Sequence, residues 1–346
     1  MEQVVLTGLL PQEIAQKLQL SQSFRAKQIF KWLSTGTDSF DLMTNLSLDL
    51  RNELKEKAVC RTTRIHEVLH DPDGTIKIVV NLNDGNSVET VLLTDKEGRK
   101  TACVSCQAGC AMHCAFCMTG TLGLARNLTA AEIVEQFFYM EKEAGRLDNI
   151  VFMGMGEPMQ NLEEIRRTID ILCNKEGRAL SSKRITLSTC GIVKGIYDLA
   201  DKGPAIRLAV SLTTADPELR LKLMPVSTGP NNLEELRKAI EYYAAKSGKR
   251  VTLEAALLHN QNTGEDSARN MIAFARGLDV NINLIPWNPV TGLDFEEPDN
   301  TEIKSFVEKL EKAGLNVTLR TRRGRKIGGA CGQLGRVGVP EPVERQ

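Results

Sequence analysis

Short β-type runs alternate with longer helical patterns from about residue 100 to residue 300, and this alternation restricts the possible folds more than any other feature of the chain. The predicted strands span residues 101–105, 149–153, 184–187, 206–212, 251–257 and 280–285. Helical patterns lie between them at 129–145, 161–174, 192–202, 232–246 and 265–277. Thr129 followed by Glu132 marks the start of the first helix. Six strand–helix units in series predict an α/β fold with a parallel sheet, either doubly wound or curled into a full or partial barrel.

The segments beside these units have different patterns. Apolar residues of the segment 23–33, Phe24 among them, recur near helical spacing. Asn83-Asp84-Gly85 separates two β-type runs at 76–82 and 87–93, which is typical of a hairpin. A last helix at 301–313 and a strand at 315–320 precede a basic, glycine-rich tail. The chain is therefore divided into a helical module at 1–65, a hairpin extension at 66–99, the barrel at 100–300 and a C-terminal extension at 301–346.

Composition limits the class of protein. Hydrophobic residues make up 42% of the chain and charged residues 25%, as in water-soluble globular proteins. The apolar runs are too short to span a bilayer, and the first residues lack the pattern of a signal peptide, so we expect a cytoplasmic protein. The net charge is zero, whereas nucleic-acid-binding proteins are more often basic. Local basic runs do occur at 183–184 and at 320–326.

Five of the nine cysteines fall between Cys103 and Cys117. In a chain without a secretion signal, such clustering indicates metal binding or redox chemistry rather than a disulfide framework. Cys110, Cys114 and Cys117 form a C-x3-C-x2-C motif. Three thiolates at this spacing can bind three irons of a [4Fe–4S] cubane and leave the fourth iron open. An open iron can bind the amino and carboxylate groups of S-adenosylmethionine (SAM), whose reductive cleavage yields a 5′-deoxyadenosyl radical.

The same region also permits a structural zinc site. Cys103 and Cys106 form one C-x2-C pair, and Cys114 and Cys117 form a second, as in a zinc ribbon. Zinc ribbons stabilise small modules, whereas these cysteines follow the first strand of a βα series. Barrel enzymes place their active-site loops at that position, which favours the iron–sulfur interpretation and leaves zinc as the alternative.

Short polar motifs follow the other predicted strands. They are GMGEP at 154–158, STCG at 188–191, SLT at 211–213 and PWNP at 286–289. Because the carboxyl ends of parallel strands meet at one rim, we expect these motifs to lie beside the cysteine loop. Glycine permits close approach of the backbone to a ligand, and Glu157, Asn288 and the serines can hydrogen-bond a ribose or an amino-acid group.

Taken together, these motifs resemble those of the RlmN family. Its members are radical SAM methyltransferases of dual specificity that form 2-methyladenosine in 23S ribosomal RNA and in certain transfer RNAs. The resemblance extends over nearly the whole chain and includes NLIPWNP at 283–289 and ACGQL at 330–334. It implies a partial (βα)6 TIM-type radical SAM barrel with an N-terminal helical accessory domain, a candidate for RNA binding, and a C-terminal extension.

The resemblance also implies the chemistry. One SAM methylates Cys331, a second SAM yields the radical that takes a hydrogen atom from this methyl group, and the resulting methylene adds to carbon 2 of adenine. Cys103 then resolves the protein–RNA adduct by a transient disulfide with Cys331. Glu89 is the residue to which deprotonation is assigned.

Seven positions carry over as SAM contacts from the resemblance: Gly156, Glu157, Ser188, Ser211, Leu212, Thr213 and Asn288. The sequence departs from the family pattern at three places. Thr213 replaces a common histidine, Cys106 replaces a serine or threonine, and the tail has Ile327-Gly-Gly where an acidic residue often precedes the alanines.

The implied partners are 23S rRNA in a protein-poor precursor, tRNA, and an electron donor such as flavodoxin or ferredoxin. The implied enzyme is a cytoplasmic monomer without a membrane partner. Two alternatives remain: a Cfr-type enzyme that methylates carbon 8 of a ribosomal adenine, and a non-catalytic, zinc-bearing RNA-binding protein. Trp287 and Pro158 favour the RlmN pattern over the Cfr pattern.

Overall fold

The computed structural model describes residues 3–335. The chain begins with a small helical module. Its elements are β1 (Val4–Val5), α1 (Pro11–Lys17), α2 (Ser23–Leu33), α3 (Leu48–Lys57) and β2 (Ala58–Val59). Helix α2 buries Ala26, Ile29, Phe30 and Leu33, as its spacing predicts. Phe24 is 49% exposed and lies under the guanidinium of Arg25, so its inclusion in the apolar stripe was wrong.

An antiparallel extension follows this module. Its strands are β3 (Arg64–His70), β4 (Ile76–Asn81), β5 (Ser87–Thr94) and β6 (Lys100–Cys103). The predicted hairpin is confirmed by the antiparallel pairing of β4 with β5. Strand β3 was missed, because most of its residues are exposed and it lacks the alternation that marks a half-buried strand. Since β5 also pairs with β6, the extension belongs to the main sheet.

The remaining elements include the predicted strands and helices, with boundaries within about two residues of the expected ones, and four short elements that were not predicted, at 107–109, 118–121, 124–127 and 217–223. They are β7 (Gln107–Gly109), α4 (Met118–Thr121), β8 (Leu124–Asn127), α5 (Ala130–Ala144), β9 (Asn149–Phe152), α6 (Leu162–Cys173), β10 (Ile185–Thr189), α7 (Val193–Lys202), β11 (Arg207–Ser211), α8 (Pro217–Leu223), α9 (Leu233–Ser247), β12 (Val251–Leu257), α10 (Glu265–Ala275), β13 (Val280–Pro286), α11 (Asn300–Lys312) and β14 (Asn316–Leu319). The predicted capping box at Thr129 and Glu132 opens α5.

One ten-stranded sheet dominates the described part of the chain. Its order is β14-β13-β12-β11-β10-β9-β6-β5-β4-β3, and every pair from β6 to β14 is parallel. Spatial order follows chain order without the reversal that defines a doubly wound sheet. The predicted partial barrel is therefore confirmed, and β14 adds a seventh parallel strand to the six expected.

The two faces of the parallel strands differ. On β10, Ile185 and Leu187 are buried in the apolar core, whereas Thr186 and Ser188 are partly accessible. The register places Cys103 beside Val151, Val151 beside Thr186 and Thr186 beside Arg207. Paired residues share a face of a sheet, so these four side chains form one row on the accessible, inner face.

The apolar core is continuous from the N-terminal helices to the sheet. The boundary predicted at residue 65 therefore stays a prediction, and the predicted extension 301–346 is described only to residue 335. Among residues 3–335, no helix is both long and apolar enough to cross a membrane.

Candidate active site

Two cavities meet at Cys331. The first, which we call the rim cavity, lies at the carboxyl ends of β9 to β13 and contains about 1090 Å³ of empty space, including solvent at its mouth. The second, the lumen cavity, follows the inner face of the sheet and contains about 1900 Å³ on the same measure. Met153, Ile285, Asn288, Arg320 and Cys331 line both cavities.

The cysteine loop between β7 and α4 brings Cys110, Cys114 and Cys117 to the wall of the rim cavity. The amide of Cys110 donates to the carbonyl of Gly123 across 2.8 Å, and the amide of Cys117 donates to the carbonyl of Cys114 across 3.1 Å. Gly109 has φ +82°, and a Cβ there would lie 1.9 Å from the oxygen of Gly123, so only glycine fits. This packing fixes the start of the loop.

The ligand arrangement suits a cubane better than a zinc ion. Tetrahedral zinc requires four ligands at about 2.0–2.3 Å from one point. Cys103 lines the lumen cavity instead, and Cys106 is buried in the apolar core. A cubane needs no common point, because each thiolate binds a different iron.

Glu157 lies at the rim with its carboxylate buried. Its oxygens accept hydrogen bonds from the amides of Met159 (2.9 Å) and Cys190 (2.8 Å). Burial raises the pKa of the Glu157 carboxyl above its ordinary value, although these hydrogen bonds oppose the shift. The arrangement leaves acceptor positions of the carboxylate for a group in the rim cavity.

Close packing within the protein, rather than a bound ligand, requires glycine at positions 154 and 156. A Cβ at Gly154 would lie 2.7 Å from the backbone of Val104, and one at Gly156 would lie 2.5 Å from the Cβ of Gln107. Gly156 also has φ +104°. Both residues line the rim cavity, but their contacts pack the loop after β9 against the segment after β6.

The serine motifs contribute part of the expected set. Ser188, Ser211 and Thr213 line the rim cavity. Leu212 does not: its side chain is buried, and its carbonyl accepts hydrogen bonds from Thr214 and Arg220. Leu212 therefore presents no group to the rim cavity that could make the predicted contact with SAM.

Thr213 has φ +59°, a costly conformation for a β-branched residue. Its amide donates to the carbonyl of Glu254 across 3.0 Å, and its carbonyl accepts from the side chain of Asn262 across 2.9 Å. The positive φ of Thr213 costs about 1–3 kcal/mol, and these two hydrogen bonds stabilise that backbone conformation at the cavity wall. The replacement of histidine by threonine at this position therefore affects a constrained site.

Asn288 joins the rim to the tail. It is 3% exposed, its Nδ2 donates to the carbonyl of Cys331 across 3.2 Å, and its Oδ1 is buried without a hydrogen-bond partner. A buried amide oxygen without a partner costs about 1–3 kcal/mol, which a ligand donor can recover. This acceptor at the cavity wall fits a bound SAM.

The tail that carries Cys331 is attached at several points. The carbonyl of Gly332 accepts from the amide of Met118 (2.8 Å), and the carbonyl of Leu334 accepts from the hydroxyl of Thr119 (2.7 Å). Gln333 donates to the carbonyl of Pro289 across 2.8 Å. Cys331 is therefore clamped between the cysteine loop and the loop after β13.

Cys103 and Cys331 both line the lumen cavity. Burial raises the pKa of both thiols, and a negative charge on Cys331 raises the pKa of Cys103 further. Cys331 is accessible through the cavities although protein surrounds it. All nine cysteines are free thiols, so the disulfide implied by the resemblance is absent from this state.

Glu89 does not reach either cavity in the described residues. It is 1% exposed, and its carboxylate lies 2.9 Å from the ammonium of Lys77 and accepts a hydrogen bond from the amide of Gly335. Val91 pairs with Cys103, so Glu89, two residues earlier, points to the same inner face. The tail covers it at Gly335.

Comparison with known proteins identifies the family. A model described as the Radical SAM superfamily matches residues 104–272, and one described as Ribosomal RNA large subunit methyltransferase N-terminal domain matches residues 16–60. A protein of Treponema denticola named probable dual-specificity RNA methyltransferase RlmN is 59% identical over 330 residues, covering 95% of this chain and 95% of that protein. The chain belongs to the RlmN family. A Moorella thermoacetica protein of the same name is 43% identical over 341 residues, covering 95% of this chain and 96% of its own.

A solved structure agrees with membership of the RlmN family. The crystal structure of a radical SAM methyltransferase from Sphaerobacter thermophilus superposes with a TM-score of 0.92 at 39% identity, covering 96% of this chain and 99% of that one. The chain is therefore a radical SAM RNA methyltransferase. Membership of the superfamily implies SAM and a [4Fe–4S] cluster, and the alternative of a non-catalytic zinc protein was wrong.

Sequence reasoning missed two charged residues of this RlmN-family site. Glu254, on β12, lines the rim cavity and accepts hydrogen bonds from Ser188 (3.3 Å) and Asn283 (3.2 Å). Arg220, on α8, is 0% exposed and donates to the carbonyls of Ser211 (3.0 Å), Leu212 and Cys190 (2.8 Å). A lone acid within the apolar run VTLEAAL was the available signal for Glu254.

Proposed function

We propose that this enzyme forms 2-methyladenosine in 23S rRNA and tRNA through a methyl group carried on Cys331. The observation that supports this most is the position of Cys331, whose side chain lines both cavities. A methyl carrier must meet the methyl donor on one side and the nucleobase on the other. An accessible thiol between the cavity lined by the cysteine motif and a second cavity meets both requirements.

The cofactors would be held in the rim cavity. Cys110, Cys114 and Cys117 would bind the [4Fe–4S] cluster, and Glu157 and the free Oδ1 of Asn288 would accept hydrogen bonds from SAM. When bound, the cluster and SAM supply a methyl donor and a 5′-deoxyadenosyl radical, so two SAM molecules are used per turnover. Ser188, Ser211 and Thr213 would orient SAM through hydrogen bonds.

The chain's own residues would perform the remaining steps. The Cys331 thiol would lose its proton, and its sulfur would accept the methyl group of SAM with S-adenosylhomocysteine as the leaving group. After loss of one hydrogen atom to the 5′-deoxyadenosyl radical, the methylene on this sulfur would form a bond to carbon 2 of adenine. The adduct would return one electron to the oxidised cluster and lose the proton of carbon 2 to Glu89, once the tail uncovers its carboxylate. The thiol of Cys103, which also lines the lumen cavity, would then lose its proton and attack the Cys331 sulfur; the S–C bond breaks, the released carbon takes up a proton to become the methyl group, and a transient disulfide forms.

The partners follow from this chemistry. An electron donor such as flavodoxin or ferredoxin would reduce the cluster, and the substrates would be protein-poor 23S rRNA precursor and tRNA. We propose that the enzyme is cytoplasmic, because a reducing compartment keeps unpaired cysteines as thiols. We further propose that it acts as a monomer.

The test is anoxic turnover with SAM, a reductant and an unmodified RNA fragment, followed by nucleoside analysis. The proposal predicts 2-methyladenosine and 5′-deoxyadenosine. Formation of 8-methyladenosine would instead show that the enzyme carries out the Cfr-type reaction at carbon 8. Absence of 5′-deoxyadenosine from protein loaded with iron and sulfide would refute radical chemistry altogether.

A further inference from the structure

The lumen cavity extends far from Cys331. It is lined at one end by Cys331 and Asn288, and at the other by Asn149, Arg184 and Arg207. Asn149 and Arg207 are the first residues of β9 and β11, and Arg184 directly precedes β10. The cavity therefore runs along the inner face of the sheet, from the amino ends of the strands to the thiol near their carboxyl ends.

Three arginines of this cavity have no acidic partner. Within residues 3–335, Arg184, Arg207 and Arg320 form no ion pair, and their side chains donate no hydrogen bond to protein. Arg320 is the innermost, because it also lines the rim cavity, whereas Arg184 and Arg207 line the lumen cavity alone. Arg184 and Arg207 are exposed and Arg320 is half-buried, so all three guanidinium groups are available to bind anions.

The other basic residues near this cavity differ in their contacts. Arg99 contacts Asp95 and Glu97, Arg322 and Arg325 contact Glu297, and Arg323 donates to the carbonyl of Asp73. Most of the basic run at 320–326 is thus engaged by the protein itself. Lys96 also lines the cavity and forms no ion pair within residues 3–335. The free positive charge therefore comes from Arg184, Arg207, Arg320 and Lys96.

We propose that Arg184, Arg207 and Arg320 bind phosphate groups of the RNA chain beside the target adenosine, so that its adenine reaches Cys331 from the amino ends of the strands. The inference rests on the proposed role of Cys331 as methyl carrier. Arg207 pairs with Thr186 on the neighbouring strand about 4.8 Å away, and Arg184 lies two residues before Thr186, so the two guanidinium groups can reach successive phosphates. Arg320 binds the phosphate nearest the reacting base.

An acidic electron-donor protein would also be attracted by free arginines. It has to deliver electrons to the cysteines of the rim cavity, and Cys110, Cys114 and Cys117 do not line the lumen cavity in the described residues. The base, in contrast, must reach the thiol at which the lumen cavity ends. The arrangement therefore favours RNA over a reductant.

The experiment uses the full-length holoenzyme and an unmodified tRNA. Binding is titrated at several salt concentrations for wild type, Arg184→Ala, Arg207→Ala, Arg207→Lys and the control Arg250→Ala. Arg250 directly precedes β12 at the same end of the barrel, but it is paired with Asp279 at 2.7 Å and does not line the lumen cavity. Methylation of Cys331 by SAM without RNA is measured in parallel by intact-protein mass.

We expect each Arg→Ala change at 184 or 207 to weaken tRNA binding about tenfold. A plot of the logarithm of the association constant for tRNA against the logarithm of the salt concentration should also become shallower by about 0.7. This is the value for one lost single-strand phosphate contact. Arg207→Lys should keep the slope, and Arg250→Ala should match wild type. All variants should methylate Cys331, because the rim cavity is unchanged.

Binding losses no larger than that of Arg250→Ala would overturn the proposal. So would unchanged tRNA binding combined with slower reduction by flavodoxin, which would assign the arginines to the electron donor. Because RNA binding is measured without turnover, the result does not depend on which adenine carbon is methylated. A wild-type enzyme that binds tRNA and forms no 2-methyladenosine would refute the proposed function alone.

Discussion

The side-chain amide of Asn288 donates a hydrogen bond to the carbonyl of Cys331 across 3.2 Å, and this bond fixes the tail to the loop after β13. The same side chain presents an unpartnered oxygen within the site. One residue therefore couples the position of the proposed methyl carrier to the cavity proposed for the methyl donor.

Asn288→Ala tests this coupling. Loss of the hydrogen bond frees the Cys331 carbonyl, and a displacement of about 1 Å can cost about 100-fold in rate. We expect methylation of Cys331 by SAM to slow about 10- to 100-fold while iron content is unchanged. Single-turnover mass measurements give the rate. The control is Asn316→Ala, which removes an exposed hydrogen bond between β13 and β14; equal rates in both variants would contradict the coupling.

Cys114→Ala should remove the cluster, because three thiolates are the minimum that holds a cubane at an open iron. We expect loss of brown colour, iron and sulfide after anoxic reconstitution, with Cys110→Ala and Cys117→Ala behaving alike. Cys106→Ala and the half-buried Cys173→Ala should keep the cluster, since neither lines the rim cavity. Loss of iron from Cys106→Ala would instead show that Cys106 is needed to hold the cluster.

Cys103→Ala should trap a covalent adduct between enzyme and RNA. Cys103 is the thiol that lines the lumen cavity together with Cys331, so its removal leaves no nucleophile to release the product. Denaturing gels with labelled RNA should show the adduct. The double variant Cys103→Ala, Cys331→Ala lacks the methyl carrier and should show none. Normal product release by Cys103→Ala would eliminate the resolving role.

Arg220→Met tests a buried charge that supports the rim. Three carbonyls, of Ser211, Leu212 and Cys190, would lose their donor. We expect unfolding to require about 2–4 kcal/mol less free energy and SAM to bind more weakly. Chemical unfolding and SAM titration measure the two effects. The exposed Arg269→Met on α10 should change stability by less than about 0.5 kcal/mol; a similar small change in Arg220→Met would contradict a supporting role.

Local signals were sufficient for the alternation of strands and helices, whereas the choice of a partial barrel over a doubly wound sheet came from the family resemblance. Alternation on β13 and the capping box of α5 each lie within a few residues, and the structure reproduces both. The same holds for the cysteine loop, whose motif is contiguous. Strand β3 was not predicted, because its residues are largely exposed and show no alternation of apolar and polar residues.

The remainder of the site depends on contacts between distant segments. Nothing within the tail predicts that Asn288 holds Cys331, or that Gly335 covers Glu89. Arg220 resembles any surface arginine of a short helix until the fold buries it. Such pairings follow from the path of the chain in space, which local patterns do not determine.

His259 and Glu302 form a pair that should make stability depend on pH. The Nδ1 of His259 lies 2.7 Å from Oε2 of Glu302, and this hydrogen bond raises the pKa of His259 above its usual 6.5. Burial alone would raise the pKa of Glu302, but hydrogen bonds from Thr263, the Asn260 amide and His259 bring it below 4.5. The stability from His259 is complete below pH 6.5 and is lost as pH rises through its folded pKa.

The contribution of Glu302 has the opposite sign: it is present above pH 4.5 and is lost as pH falls through the folded pKa. The pair therefore stabilises most between about pH 4.5 and 6.5. We expect the urea midpoint of wild type to fall from pH 6 toward pH 8.5, and His259→Gln to reduce this slope. His66→Gln, an exposed change on β3, serves as the control. His66→Gln should keep the wild-type dependence of the urea midpoint on pH. If His259→Gln kept it as well, the pair would not contribute, because this variant removes the imidazole that titrates in that range.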